Sequence, residues 1–260
     1  MGSSNVIRCY GITKDPETNN FMMVMDYAQD GSLRQNLNNN FNSMNWEDKF
    51  NTLNYIARGL SNIHEKRLIH QDFHSGNILR NNSYFLITDL GLCKPADEKS
   101  EKCNKNVYGV LPYVAPEVLR GKECTQASDI YGFGMIIYEV INGLPPYRDM
   151  AHDEILAVKI CQGIRPIFNI KVPQLVEDIF KQCVDADPLK RPTADYLRKK
   201  FYQWCCDELN KKQPTLTNLS DTELTYVTHP QAIYTSRLLN FKNLPEPKNV
   251  DDGESDYSGN

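Results

Sequence analysis

No C-x-x-C pair occurs among the eight cysteines, at positions 9, 93, 103, 124, 161, 183, 205 and 206. Without that spacing a zinc ribbon or a thioredoxin-like redox centre is not expected, and reduced, mostly buried thiols are. No apolar run is long enough to span a bilayer. The most apolar stretch, Ile130 to Ile141, is too short and contains Glu139. Positive charge is not in excess either: 29 Lys and Arg stand against 33 Asp and Glu, so neither nucleic-acid nor membrane-surface binding is expected. No secretory leader is legible, and Met1-Gly2-Ser3-Ser4 fails as a myristoylation signal because Val6 stands where Ser or Thr is needed. Internal repeats are lacking too. What is there is a chain 40% hydrophobic and 24% charged, the composition of a soluble globular protein, expected in the cytoplasm. Its 260 residues suffice for one large domain or two small ones.

Residues 5–12 and 21–27 read as two β-strands, with turn chemistry in the TKDPETNN between them. A lone hairpin is marginal, so these strands look like part of a larger sheet. As an unsupported pair they are expected to expose Val6, Ile7, Met22 and Val24 as an apolar edge. From Trp46 to His64, Phe50, Leu53, Ala57, Leu60 and Ile63 recur at helical spacing. Short apolar runs in 68–92, broken by Asn, Ser and Gly, predict small strands and loops. Asp129 to Val140 is apolar nearly all round, as a helix buried in mid-domain would be. Further helical patterns run through 152–161, 173–184 and 192–208. The division expected is therefore 1–27, two strands leading into a linker; 28–208, a mainly helical lobe; and 209–260, a polar, Pro-containing and largely disordered tail. Within that tail only Ile233 to Phe241 is apolar enough to dock, as a short helix.

The chemistry concentrates in His70-Gln71-Asp72-Phe73-His74-Ser75-Gly76-Asn77, followed twelve residues after Asn77 by Asp89-Leu90-Gly91. Two adjacent loops thereby offer three hard oxygen donors. Phosphoryl transfer needs such a set: oxygen ligands for Mg²⁺ and a carboxylate beside the attacking hydroxyl. Each residue alone is most simply a turn former or cap.

Taken together and in order, these motifs resemble the eukaryotic protein kinase family. His70-Gln71-Asp72 with Asn77 is similar to its catalytic loop, and Asp89-Leu90-Gly91 to its magnesium-binding D-F-G. Ala115-Pro116-Glu117 matches the end of the activation segment. Asp129-Ile130-Tyr131-Gly132-Phe133-Gly134 looks like the start of the central helix, Arg191-Pro192-Thr193 like the late Arg motif, and residues 24–33 like the hinge. The resemblance covers residues 5 to about 205 and implies an α+β, kinase-like fold, mostly the helical lobe with a two-strand remnant of the upper sheet. It implies ATP and Mg as cofactors and a protein substrate. Asp72 would accept or orient the substrate proton; Asn77 and Asp89 would hold the metal. Met25, Asp26, Ala28 and Leu79 would face adenine. His70, Glu117, Asp129 and Arg191 would be structural, with Glu117 paired to Arg191.

Several positions depart from the family pattern. Gln71 replaces an Arg that would pair with an activation-segment phosphate, leaving Lys94 as the cation expected to remain there. His74 and Val110 stand where Ser/Thr kinases carry Lys and Thr. Tyr113-Val114-Ala115-Pro116-Glu117 lacks the tyrosine-kinase pattern, and the whole looks like the tyrosine-kinase-like group acting on Ser or Thr, with Tyr not excluded. Gly2, Gly11 and Gly31 form no G-x-G-x-x-G, and Lys14 is expected in the hairpin turn and not on a strand. The phosphate-cradling loop, strand Lys and helix Glu of the family are thus expected to be missing by N-terminal truncation. That leaves two functions open: a protein kinase, or a catalytically inactive kinase-like module that binds or scaffolds. It also invites a protein partner to cover the exposed strand edge.

Overall fold

Helix packing dictates the body of the molecule. The computed structural model describes residues 5–97, 107–210 and 227–250. In chain order its elements are β1 (Cys9–Lys14), β2 (Phe21–Met25), α1 (Leu33–Asn40), α2 (Trp46–Glu65), β3 (Leu68–Ile69), β4 (Ile78–Asn81), β5 (Tyr84–Ile87), β6 (Lys94–Pro95), β7 (Val107–Gly109), α3 (Pro116–Leu119), α4 (Gln126–Asn142), α5 (Glu154–Cys161), α6 (Gln174–Cys183), α7 (Ala194–Asn210) and β8 (Arg237–Leu239). Four two-stranded antiparallel sheets, β1–β2, β3–β6, β4–β5 and β7–β8, decorate the helices.

Helix α2 starts at a reciprocal cap, with Asn45 accepting from Asp48 N–H while Asp48 accepts from Asn45 N–H. Its buried stripe, Phe50, Leu53, Ala57, Leu60 and Ile63, is the one the periodicity predicts. Helix α4 is buried almost throughout, from Ser128 to Asn142, and forms the centre of the lobe. A Cβ at Gly132 would sit 2.6 Å from the Phe73 carbonyl oxygen, so only glycine lets α4 approach the loop carrying Asp72. Helix α1 was not legible in the sequence, since its LRQNLNNN has only Leu33 and Leu37 to bury. What starts it is local: Ser32 and Gln35 form a second capping box.

Lys49 shows what burial does to a charge. Its Nζ donates to the Ile141 carbonyl at 3.1 Å, near the end of α4, and lies 4.2 Å from the Phe41 ring centre. Burial pushes its pKa down to about 8. Because the folded value lies below the ordinary 10.5, the unfolded chain binds more protons between those limits, and stability rises with pH there. Relative to Lys49→Met, the wild type should gain about 2 kcal/mol in urea unfolding between pH 7.5 and 10, at about 1.4 kcal/mol per pH unit.

The chain start departs from the expected strand over 5–12. Residues 5–7 leave the hairpin and pair with β5 in parallel, Ile7 N–H donating to Ile87 O at 2.8 Å and Ile87 N–H to Asn5 O at 2.9 Å. Ile7 is buried and Val6 packs on the core, so these two do not form part of an exposed edge. They have an acceptor and an apolar floor on the lobe, which the hairpin lacks. The hairpin proper is exposed on both faces, Met22 and Val24 included. Lys14, expected in its turn, instead ends β1 opposite Phe21, because the ladder runs to the last pair before the turn.

The largest departure is at the other end. Where a largely disordered tail is expected, residues 227–250 lie on the lobe. The apolar stretch from Ile233 docks as the strand β8, not as a helix, because β7 offers it a free edge. Leu239 and Leu244 are buried, and Arg120 makes a two-pronged contact with Glu246. Residues 1–4, Cys103, and 211–226 and 251–260 of the expected tail lie outside the described residues. The other seven cysteines are free thiols, and among the described residues no helix is long and apolar enough to cross a membrane.

Candidate active site

The site is assembled by α4 from below and by the β4–β5 hairpin from one side. Asp129, in the first turn of α4, accepts three hydrogen bonds: from His70 N–H at 2.8 Å, Gln71 N–H at 3.0 Å and, with its Nε2 protonated, His64 at 2.9 Å. Those bonds fix the loop at Gln71, whose φ of 71° is the strained left-handed conformation. His70 is buried between Asp72 N–H, which donates to its Nδ1 at 3.3 Å, and the Thr88 carbonyl, 3.0 Å from Nε2. Both ring nitrogens are therefore committed to backbone, one as acceptor and one as donor.

Asp72 and Asn77 come together directly. The Asn77 amide donates to Asp72 O at 3.0 Å and to Asp72 Oδ2 at 3.3 Å. With its NH₂ so used, the Asn77 side-chain oxygen is the acceptor that remains. Asp89 follows β5 as Asn77 precedes β4. Ile78 faces Ile87 across that hairpin, and Thr88 N–H donates to Asn77 O at 2.9 Å. Asp89 has left-handed backbone, φ 57°, and is exposed, its carboxylate without a hydrogen bond among the described residues. No group of three His, Cys, Asp or Glu among the described residues could hold a metal by itself.

Asp72 is buried, yet its Oδ1 has no hydrogen-bond partner among the described residues. Beside it stands the His74 imidazole, whose Nε2 is 3.6 Å from Oδ1, beyond hydrogen-bond length. His74 is oriented by its own Nδ1, which accepts from Gly76 N–H at 3.0 Å. Val110, also buried, has no hydroxyl to give. On the other oxygen, Oδ2, the Ser236 hydroxyl donates at 2.5 Å. Burial acts to raise the Asp72 pKa, but the His74 imidazole and the Ser236 hydroxyl, with His70 adding to them, outweigh it and hold the carboxyl below its usual range. The carboxylate is thus an ionised acceptor at neutral pH.

Around this pair the structure places the remaining residues. Arg191 clasps Glu117 through two parallel bonds of 2.7 and 2.8 Å, both side chains buried, and spends its other donors on Asp185 O at 2.9 Å and Ala127 O at 3.0 Å. Gln71 donates through Nε2 to Leu92 O, where an Arg would reach for phosphate. Met25 ends β2 opposite Cys9, and Asp26 accepts from the Tyr10 hydroxyl at 2.5 Å. Ala28 lies in the link to α1, and Leu79 sits in β4, bridged to Ser32 at the α1 cap. Two cavities lie elsewhere, one between 185–190 and 246–249, the other between α1, α2 and the β4–β5 turn.

Two features escaped the sequence. One is a buried cluster in which Arg34 donates to Ser75 Oγ at 2.8 Å, the Tyr113 hydroxyl at 3.0 Å and Glu139 Oε1 at 3.3 Å. Tyr113 in turn donates to Glu139 Oε2 at 2.5 Å, its pKa raised well above the ordinary phenol value by burial and by Glu139. Residues so far apart along the chain carry no local signal. The other is Ser236, which lies beyond the motif-bearing residues altogether.

The geometry defines a loop-borne carboxylate and two oxygen donors set on a mainly helical lobe. The profile of the protein tyrosine and serine/threonine kinase family matches residues 1–201, and the chain belongs to that family. A probable serine/threonine-protein kinase of Dictyostelium discoideum is 30% identical over 210 residues, which is 76% of this chain and 12% of that protein. A second from the same organism is 28% identical over 222 residues, 84% of this chain and 43% of the relative. A dual specificity protein kinase, also of Dictyostelium discoideum, is 28% identical over 207 residues, 73% of this chain and 8% of the relative. The chain thus spans less than half the length of these relatives.

Proposed function

We propose that this protein transfers the γ-phosphoryl group of ATP to Ser or Thr hydroxyls of protein substrates, as a member of the tyrosine-kinase-like group. The observation that carries this reading is Asp72: a buried carboxylate, held below its usual pKa range, with one oxygen on a serine hydroxyl and the other unpartnered. A packing role would leave neither an unsatisfied buried oxygen nor a hydroxyl so aligned, whereas a group that orients and accepts a substrate proton requires that alignment.

Asn77 and Asp89 suit magnesium, which takes hard oxygen ligands, few from protein and the rest from phosphate and water. Bound there, the ion would neutralise charge on the phosphate oxygens. Asn77 additionally fixes Asp72 through its amide, Asp129 sets the loop, and Glu117 with Arg191 anchors the segment ahead of α4. The backbone of Asp26 and Ala28, with the Met25 and Leu79 side chains, would receive adenine. Serine or threonine specificity is supported by Ser236 at Asp72 and by the names of the relatives. The test is transfer of labelled phosphate from ATP with Mg²⁺ to a generic protein substrate, wild type against Asp89→Asn. We expect the variant to fall by about 10²-fold or more, as removal of one preorganised charge donor does. Equal rates in the two, or none in either, would leave the lobe as a binding module.

The partner expected at the hairpin is proposed on its surface: Ile12, Phe21 and Met23 are 70%, 79% and 55% exposed. Apolar strands so exposed self-associate or are covered. Ile12→Lys with Phe21→Glu should reduce self-association in light scattering without changing the melting temperature. Unchanged scattering would show that this hairpin is not the adhesive surface.

A further inference from the structure

The segment 229–249 crosses the lobe along a single continuous track. At its start, His229 N–H donates to Arg148 O at 2.8 Å and His152 N–H to Gln231 O at 3.0 Å. The buried His152 ring receives Ile233 N–H on Nδ1 at 3.1 Å, and the Tyr234 ring stands edge-on to it at 4.7 Å. Tyr234 is also stacked under Arg34, 4.4 Å from the ring centre, and donates its hydroxyl to Pro146 O at 2.8 Å. Two residues later Ser236 meets Asp72. The chain then runs antiparallel to β7, with Arg237 opposite Gly109, Leu238 opposite Tyr108 and buried Leu239 opposite Val107. Further on, Lys248 N–H donates to Cys161 O at 3.0 Å and Asn249 Oδ1 accepts from Ala186 N–H at 2.9 Å.

We propose that residues 229–249 are an internal substrate of the chain's own site, docked across it with Ser236 as phosphoacceptor and excluding other proteins until Ser236 is modified. The proposal rests on the kinase reading above and deepens it. Three observations carry it. The hydroxyl lies within proton-transfer reach of the carboxylate assigned as base. The residues after it add a strand to the segment that leads into Ala115-Pro116-Glu117, which is how an extended peptide is read: main-chain pairing with alternate side chains in pockets. The residues before it fill the aromatic and Arg34 surface beside the same site. The acceptor class that follows is an extended segment with a hydroxyl residue, an aromatic two residues before it and a buried aliphatic three residues after it.

In the step itself the Ser236 oxygen forms a bond to the γ-phosphorus of ATP. The bond from that phosphorus to the bridging oxygen breaks, ADP leaves with the electron pair, and the hydroxyl proton passes to Asp72. Phosphoserine at 236 would then hold about −1.5 to −2 charge beside an ionised carboxylate, so like-charge repulsion opens the track.

The experiment combines hydrogen exchange with mass analysis of Ser236, on the full protein with and without ATP and Mg²⁺. In wild type the amides of 107–109 and 237–239 should be protected. Ser236→Ala should keep that protection, and Ser236→Glu should lose it by about tenfold or more while α2 and α4 stay protected. With ATP, phosphate should appear on Ser236 at a rate independent of protein concentration, and not in Asp72→Asn. If both strands exchange like free chain in wild type, docking is overturned whatever the catalysis. Docking with phosphate on an added protein but none on Ser236 overturns the acceptor role. Docking with no phosphate on any protein overturns the kinase reading and the acceptor role with it, while occupancy of the track stands.

Discussion

Replacing Arg191 by alanine should cost about 3–5 kcal/mol, because it strands the Glu117 carboxylate in the core. The pair is bidentate and both partners are buried, Arg191 almost wholly so. The guanidinium also satisfies two carbonyls, of Asp185 and Ala127, and lies 5.3 Å from the Tyr131 ring centre. One substitution therefore unpairs a charge, two acceptors and an aromatic face. Against a total of about 5–15 kcal/mol for a domain, the lobe would be partly unfolded at physiological temperature. Glu117→Ala should behave similarly, since it leaves a buried cation, and the double variant should cost less than the sum of the two. Arg191→Lys restores charge but not the fork, and should recover only part of the loss. Urea unfolding monitored at two wavelengths is the measurement. A loss under about 1 kcal/mol for Arg191→Ala, the size of a surface pair, would show that the contact does not hold the lobe.

Such a pair was readable because each partner sits in a short motif whose order along the chain is informative. The same holds for His70, Asp72, Asn77, Asp89 and Asp129, and for the α2 and α4 periodicities, where burial leaves a mark every three or four residues. What the sequence left unread has a different physical origin. Helix α1 is started by a capping box, not by an apolar face, so its pattern is almost blank. Residues 5–7 look like strand but choose β5 as partner over the hairpin, a choice made by tertiary contact. The Arg34, Ser75, Tyr113 and Glu139 cluster is joined only in space. The segment 227–250 has the composition of a tail, yet a few anchors, Tyr234, Leu239, Leu244 and Glu246, suffice once β7 supplies an edge and the lobe supplies pockets. Composition measures average burial, and a strap held at isolated points escapes it.

Asp72→Asn should separate chemistry from architecture. As general base the carboxylate is worth about 10²–10⁴ in rate, and its amide cannot take a proton, so transfer should fall by that factor. Stability should fall far less. The lowered pKa means that the fold favours the ionised carboxylate on balance, burial notwithstanding, so the amide gives up only that modest stabilisation. The amide oxygen can still accept from Ser236 and from Asn77, which preserves the docked strand and the loop. The unfolding midpoint should therefore drop only slightly below that of wild type while the rate collapses. The wild-type rate should also hold as pH falls through the usual carboxylate range, since the Asp72 pKa lies below it and protonation comes only further down. A variant that loses about 3–5 kcal/mol of stability along with its activity, as a broken buried pair does, would make Asp72 a structural acid. One that keeps its rate would place the proton acceptor elsewhere, and with it the assignment of this loop.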